Sequence, residues 1–597
     1  MKKRLLAMLL ATALIAGCFA ACGGKDDGSK ASTPAGNDTS TAETPKEEST
    51  GGGEEPANAA AGPDDTSELY EFTVYYNYAG WTKQWGMDEA SKYMSEKFNI
   101  NINWYGPDSD PDTKLNLMVS GDDLPEVIVL DRGPNLNKIA RGGYLQDLAQ
   151  YMYEGNDLQG NIPQATLDLL KIDGANYGVP NWARKGATGG NYQWMFNTAA
   201  YEAVGSPDIK TFEDLHQYAL AIKEAGLKSY SGQDIYPFWC TNTDNGLYVY
   251  QPFYRAMGMP NLVADYFTQE GSKIQFGVES ENFVAALKSA NQWYNEGLFN
   301  AEVFTDNQDQ FLEKVTNGRP ALLWYDFSMD DTHNFRRVVR EQSELATSYE
   351  VLGSEAFKPE AMLFPGTEGV DVTYGDEAGT IGWNVNCITT KAENPQRIFD
   401  LLSWQLSKDG AINMMYGPEG GLWEGLDEIG NPIIKKPQSE ITSAEMDAAG
   451  AWFWAQPAQS DNVDNTKFAV NDKETPEGKS WVIDIQAHVT SFNEESPRIG
   501  QKFVTDQLTG LTDTVDPQSD LGVNFQSIKD YSKAQLPKII MAADDAEFDS
   551  LVADLLKYAK DNNVDDICAS FQGRFDENVS TQGFNAYDED YDLYRLK

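Results

Sequence analysis

Phe72-Thr73-Val74-Tyr75-Tyr76, Ile100-Asn101-Ile102-Asn103-Trp104-Tyr105 and Val127-Ile128-Val129-Leu130 are the three runs that decide the architecture of this chain. The first is rich in β-branched and aromatic residues, as a strand requires. The second alternates apolar and polar side chains. The third is an unbroken apolar run, suited to a parallel strand covered on both faces. Between the first two, Ala90, Met94 and Phe98 recur at helical spacing. Between the second and third, Leu115 to Val119 reads as a short helix, and Gly121-Asp122-Asp123-Leu124-Pro125 turns the chain. Strand, helix, strand, helix, strand is the order of an α/β sheet.

The pattern continues downstream. Thr211 with Asp214 is a capping-box variant, followed by Leu215, Ala219 and Ile222 on one helix face. Phe283, Leu287, Ala290 and Tyr294 mark a second face, stopped by Gly297. Ala321 to Tyr325 and Ile381 to Thr389 read as strands. After Asn394-Pro395, the residues Ile398, Leu401, Leu402 and Leu406 mark a helix. Glu547 to Asn562 is helical, with Phe548, Leu551, Leu555 and Tyr558 on one side. No internal repeat is visible.

About 530 residues of globular composition exceed what one hydrophobic core supports, so two or more lobes are expected. The 92 acidic and 46 basic residues leave a net charge of −46. That argues against nucleic acid or anionic lipid headgroups as partners, which need a positive surface. The three histidines, His216, His333 and His488, are far apart, which removes zinc-hydrolase patterns. Neither a GxSxG nor a phosphate-cradling loop is present. Cys240, Cys387 and Cys568 are widely spaced and read as small buried hydrophobes, with one distant pair left open. Asp108-Ser109-Asp110-Pro111-Asp112 starts like a calcium loop but lacks the sixth-position glycine, and Val119 stands at the acidic twelfth position. No metal and no cofactor are expected.

Ahead of the folded part, Lys2-Lys3-Arg4, the apolar run Leu5 to Ile15 and Ile15-Ala16-Gly17-Cys18 have the order of an export signal peptide. The run of about eleven residues falls short of the ~20 needed for a permanent span. The segment resembles a bacterial lipobox, which implies lipidation, as by palmitate, of Cys18. Cys22, in Phe19-Ala20-Ala21-Cys22, is the alternative. Cys18 has the better branched aliphatic three positions before it, and Cys22 the better downstream Gly23-Gly24. From Gly23 to about Thr66 no aromatic or large aliphatic residue occurs, so a disordered tether is expected. As a coil of about 44 residues it would reach roughly 35–40 Å.

Several segments fall in a family order. They are Gly121-Asp122-Asp123-Leu124-Pro125-Glu126-Val127-Ile128, Tyr177-Gly178-Val179-Pro180-Asn181-Trp182 and Lys210-Thr211-Phe212-Glu213-Asp214-Leu215. Tyr294-Asn295-Glu296-Gly297-Leu298, Asn317-Gly318-Arg319-Pro320-Ala321-Leu322 and Met415-Tyr416-Gly417-Pro418-Glu419-Gly420-Gly421-Leu422-Trp423 follow. In this order the chain resembles the family 1 extracellular solute-binding lipoproteins, the maltose-binding-like receptors of ABC importers, in their long Gram-positive form. Ile209 departs from the proline of the family's helix-entry pattern. Beyond Trp423 the resemblance fades.

That resemblance implies an α/β fold of two lobes, periplasmic-binding-protein-like (type II), with a hinge and a central ligand cleft. The first crossing is expected near Val179 to Thr188. The expected organisation is 1–22 signal and lipobox, 23–66 tether, 68–183 first lobe with a returning segment 371–415, and 190–370 second lobe. Residues 416–597 would pack on the second lobe and hinge. The function implied is capture of a carbohydrate, an oligosaccharide foremost, and its delivery to the transmembrane subunits of an ABC permease. The protein would be a non-enzymatic monomer, lipid-anchored on the outer face of the cell membrane.

Fourteen tryptophans, several at element ends, suit a saccharide. An indole face matches the C–H face of a pyranose, and rim carboxylates accept its hydroxyls. The candidate cleft residues are Trp81, Trp182, Trp239, Trp324, Asp326 and Trp383, with Tyr416 and Glu419 from the glycine-rich segment. Asp131 joins them because it ends a buried strand, where α/β sheets present ligand groups. On this basis Trp182→Ala and Trp324→Ala are expected to weaken sugar binding. Two other functions compete: a secreted glycoside hydrolase and a non-transport surface lipoprotein. With 92 acidic residues any catalytic carboxylate pair can be nominated, so that signal lacks specificity. Which ligand is taken stays open.

Overall fold

The computed structural model describes residues 62–585 except 80, 82, 182, 184–191, 242–246, 261, 265, 327–348, 353–356, 359–360, 362–363, 371–372, 378–380, 428–431, 437–440, 451–455, 458–500 and 504. Cys18 and Cys22 lie outside the described residues.

The first sheet runs in the order Ile100–Tyr105, Tyr70–Tyr76, Val127–Asp131, Asn384–Ile388, Gly178–Pro180. Its first three strands are parallel; Asn384–Ile388 lies antiparallel to both of its neighbours. The apolar run explains the layering. Val127 and Val129 point to one core, with Met94, Phe98, Ile398 and Leu402. Ile128 and Leu130 point to the other, with Leu115, Met118, Leu136 and Ile139. A strand buried on both faces needs this unbroken apolar sequence. Asp88 caps the helix Glu89–Phe98 by accepting from Ser91 N at 2.8 Å. Asp110, the residue of the calcium-like stretch, caps the helix Pro111–Gly121 through Thr113 N at 3.1 Å.

The chain leaves this sheet through Gly178–Pro180 and builds a second one, ordered Tyr349–Val351, Tyr192–Asn197, Pro320–Asp326, Tyr236–Cys240. It returns through Asn384–Ile388. The capping box at Thr211 and Asp214 is formed as expected and starts the helix Phe212–Ala225. The helix Glu281–Asn295 carries the predicted face, and Gly297 follows with φ +69°. At Gly178 a Cβ would meet the Val385 Cβ at 2.6 Å, so the crossing strands approach as closely as only glycine permits. The returning strand starts at Asn384, later than the expected Ile381. Ile381 to Trp383 bend instead around Asn181, whose carbonyl accepts from Gly382 N at 2.9 Å.

Two boundaries differ from the expectation. Asp64 and Asp65, placed in the tether by composition, are bound to Arg397, a residue of the helix Pro395–Gln405. Arg397 Nε donates to Asp64 Oδ2 at 2.6 Å, and its Nη2 to Asp65 O. Past Tyr416, the helix Ser443–Ala449 packs on the helices Lys408–Tyr416 and Glu89–Phe98, and Lys83 pairs with Asp447 at 2.7 Å. That part of the C-terminal region therefore lies on the first lobe. The later part lies on the second. The helices Asp520–Ile540, Asp545–Asp561 and Val564–Gln582 share its core through Ile528, Phe548, Ile567 and Phe571. Asn291 Nδ2 also donates to Ile540 O and Ala542 O, at 2.8 Å each.

Cys240, Cys387 and Cys568 are free thiols. Burial raises all three, Cys568 to about 12. Among the described residues no helix is long and apolar enough to cross a membrane.

Candidate functional site

The carboxyl ends of the parallel strands collect polar groups. Asp131 ends its strand and is exposed. Tyr78, two residues past the first strand, donates its hydroxyl to Asp131 Oδ1 at 2.6 Å. Asn384 stands opposite Asp131 in the ladder, and Arg132 N donates to Trp383 O at 2.9 Å. Asn181 closes the group: its Oδ1 accepts from Asn384 N at 3.1 Å. A Cβ at Gly382 would lie 2.1 Å from that Oδ1, so the close approach requires glycine. Trp383 is 45% exposed, rare for so large an apolar side chain.

The electrostatics follow from this packing. The protein wall around Asp131 disfavours its charge and raises its carboxyl above the ordinary range. The Tyr78 hydrogen bond and Arg132 partly offset the rise, and Asp112 adds to it. Burial, then the neighbouring Asp131 charge, drive the Tyr78 phenol upward. Asn384 is fully buried and lies beside the Tyr78 hydroxyl, yet neither amide atom makes a hydrogen bond of ordinary geometry among the described residues. An acceptor carboxylate, a phenol, an amide and an open indole face together fit a ring-shaped ligand rich in hydroxyls.

The remaining sequence candidates are spread out. Trp81 is half-buried and stacks on Tyr76, ring centroids 4.0 Å apart, with Trp104 edge-on at 5.7 Å. Trp182 lies outside the described residues. Asp326 ends its strand opposite Tyr192, its side chain outside the described set. Trp239 and Trp324 are fully enclosed in the second core rather than lining a cleft. The first stacks on Tyr236 and donates Nε1 to Asp306 Oδ2 at 3.2 Å; the second donates Nε1 to Gln251 Oε1 at 2.8 Å. Tyr416 is buried with Met415 and Trp423. Glu419 is exposed and accepts from Gly425 N at 2.9 Å, so it belongs to the turn the glycines make. Sequence reasoning missed Tyr78 and Asn384, although the rule that selected Asp131, ligand groups at strand ends, reaches both.

The family described as bacterial extracellular solute-binding protein matches residues 79–412. The chain belongs to it. As a solute-binding protein it is 22% identical over 233 residues to the fructooligosaccharide ABC transporter substrate-binding protein FusA of Streptococcus pneumoniae, covering 37% of this chain and 43% of that protein. It is also 22% identical over 278 residues to lipoprotein LipO of Bacillus subtilis, covering 45% and 51%. The chain thus spans about half, or less, of the length of the curated relatives it matches. The solved structure of S. pneumoniae FusA in complex with kestose superposes with a TM-score of 0.61 at 16% identity, over 86% of this solute-binding protein and 100% of that chain. That likeness establishes the type II, two-lobe fold.

Proposed function

We propose that this protein captures a neutral saccharide, an oligosaccharide foremost, and delivers it unchanged to the transmembrane subunits of an ABC importer. The observation that carries this is the group of Asp131, Tyr78, the exposed indole of Trp383 and the buried amide of Asn384 at the carboxyl ends of the first sheet. A sugar ring stacks on Trp383 and places its hydroxyls on Asp131 and Asn384. Trp81 packs on Tyr76 and Trp104 and so stands apart from this group; Trp239, Trp324, Tyr416 and Glu419 are left out because the structure occupies them otherwise. Contact with both lobes favours the closed state, since only differential contact shifts such an equilibrium. The protein acts as a monomer, held outside the cell by a lipid on Cys18, or alternatively Cys22, behind a signal peptide. Residues 68–183 with the returning segment 371–415 form one jaw and 190–370 the other, and no chemistry is done on the ligand. The names of FusA and LipO support a transport and lipoprotein setting.

The test is a thermal-shift screen with kestose, maltooligosaccharides and mannooligosaccharides, followed by titration calorimetry. Saturable binding that weakens more than tenfold in Trp383→Ala and in Asp131→Ala is expected. Turnover of the sugar, or affinity unchanged in both variants, would overturn the proposal.

A further inference from the structure

Arg132 follows Asp131 directly, but its side chain engages a distant part of the chain. Its Nη1 donates to Thr509 Oγ1 at 3.4 Å, 377 residues away. Burial disfavours its charge, and the carboxylates acting against that are Asp506, Asp513 and then Asp131. Two of these three belong to segment 505–515. That segment is gripped from its other side. Asn578 Nδ2 donates to Gln507 O at 3.0 Å and Thr509 O at 2.8 Å, and Gln507 Nε2 donates to Phe584 O at 2.8 Å. Gly510 takes φ +71°, and a Cβ there would lie 3.1 Å from Asp513 Oδ2 and 3.4 Å from Arg574 Nε. Leu511 and Val515 are buried in the second core, together with Phe571 and Phe575 of the helix that carries Arg574 and Asn578. Arg132 therefore starts from the first sheet and ends on a segment that belongs to the second core.

We propose that Arg132 is a positioning residue that ties the Asp131 carboxylate to the C-terminal segment 505–515 and does not itself contact ligand. This rests on the placement of ligand beside Asp131 proposed above. The Asp506, Asp513 and Asp131 carboxylates all favour the Arg132 charge, while its Nη1 is held by Thr509. Any displacement of the segment redistributes that charge, and the ligand carboxylate feels the change. The groups facing Asp131 are Tyr78, Arg132 and Asp112; those facing Arg132 are Asp506, Asp513 and Asp131, with Arg574 across Gly510. The C-terminal segment thereby acts on the candidate site without touching it.

The experiment needs no ligand. In the full chain, 3-fluorotyrosine at position 78 gives a fluorine resonance that follows protonation of Asp131 through the Tyr78 hydrogen bond. Its acid midpoint is measured by NMR. Arg132→Gln is expected to raise the midpoint by about half a unit or more, because a neighbouring cation is lost, and Arg132→Lys to restore most of it. Asp513→Asn is expected to lower it, since the guanidinium then turns its charge more fully toward Asp131. A midpoint unmoved in Arg132→Gln, or a lowered melting temperature with no shift, would mean a structural role only and overturn the proposal. Should Arg132→Gln fail to fold, Asp513→Asn decides alone, and an unchanged midpoint there has the same consequence. A failed saccharide screen would remove the ligand site while leaving this coupling to stand or fall by the titration.

Discussion

Asp131 keeps a charge where the surrounding protein mass disfavours one, with Tyr78 and Arg132 offsetting only part of the penalty. Its folded carboxyl titrates above the unfolded one, so the ionised form costs stability above the folded range, and the cost vanishes as pH falls below the ordinary value of about 3.9. Asp131→Asn should therefore melt higher than the native protein at pH 7 and no higher near pH 3. A melting series across that range checks it, and an equal or lower melting temperature at pH 7 would refute it. Trp324 behaves in the opposite way. Its indole is enclosed, donates to Gln251 and packs edge-on against Trp194 at 4.9 Å. Trp324→Ala is expected to cost about 3–5 kcal/mol of stability, measured by denaturant unfolding, where Trp383→Ala stays within about 0.5 kcal/mol. Sequence could not separate the two tryptophans. Trp324 lies within a strand and Trp383 directly before one, and the helix Leu247–Ala256, which contributes Gln251 and Arg255 over Trp324, encloses only the first. The place of Asp131 at a strand end was legible, because that depends on strand direction rather than on what packs above it.

At the scale of elements, the start of the folded domain shows where composition misleads. Gly62 to Thr66 carries no apolar payload, yet Arg397, 3% exposed at its side chain, takes Asp64 as its counter-ion. The same guanidinium donates to Phe98 O at 2.9 Å and Glu68 O at 3.2 Å, and Asp64 N donates to Asp400 Oδ2 at 2.7 Å. A protein starting at Ser67 leaves this buried cation without its carboxylate. Such a chain should be roughly 2–3 kcal/mol less stable than one starting at Gly62. That is below the ~3–5 kcal/mol of a fully enclosed pair, because Asp64 is partly open to water. Equal urea midpoints for the two chains would refute this. Helix ends, by contrast, were readable. Thr211, Asn394 and Gly297 mark boundaries by local chemistry, with no need of distant partners. The helix Asp520–Ile540 escaped detection because Ser532 sits buried on its apolar face and Pro537 lies inside it. The helix Val564–Gln582 was not read either, although Val564, Ile567, Phe571 and Phe575 recur at helical spacing.

At the scale of the molecule, the α/β order of the first sheet and the family segments together were enough to predict two lobes. A returning segment, 371–415, was expected too; what stayed open was which strands it pairs with and how the C-terminal region divides. The strand Asn384–Ile388 joins the first sheet after some two hundred residues, and the C-terminal region divides between the lobes. Such long-range pairings leave no local pattern. If a saccharide draws the lobes together, saturating ligand should reduce the radius of gyration in small-angle scattering. It should also raise stability by about 2.7 kcal/mol at a hundredfold excess over Kd. Thermal stabilisation with unchanged scattering would indicate binding without closure. The Arg397 clamp adds a mechanical consequence. Any pull transmitted along the chain that precedes Gly62 enters the fold at Asp64 and runs straight into the helix Pro395–Gln405, beneath the first sheet. The chain itself continues from Asp64 into the strand Tyr70–Tyr76, so such a load reaches the first sheet before the second.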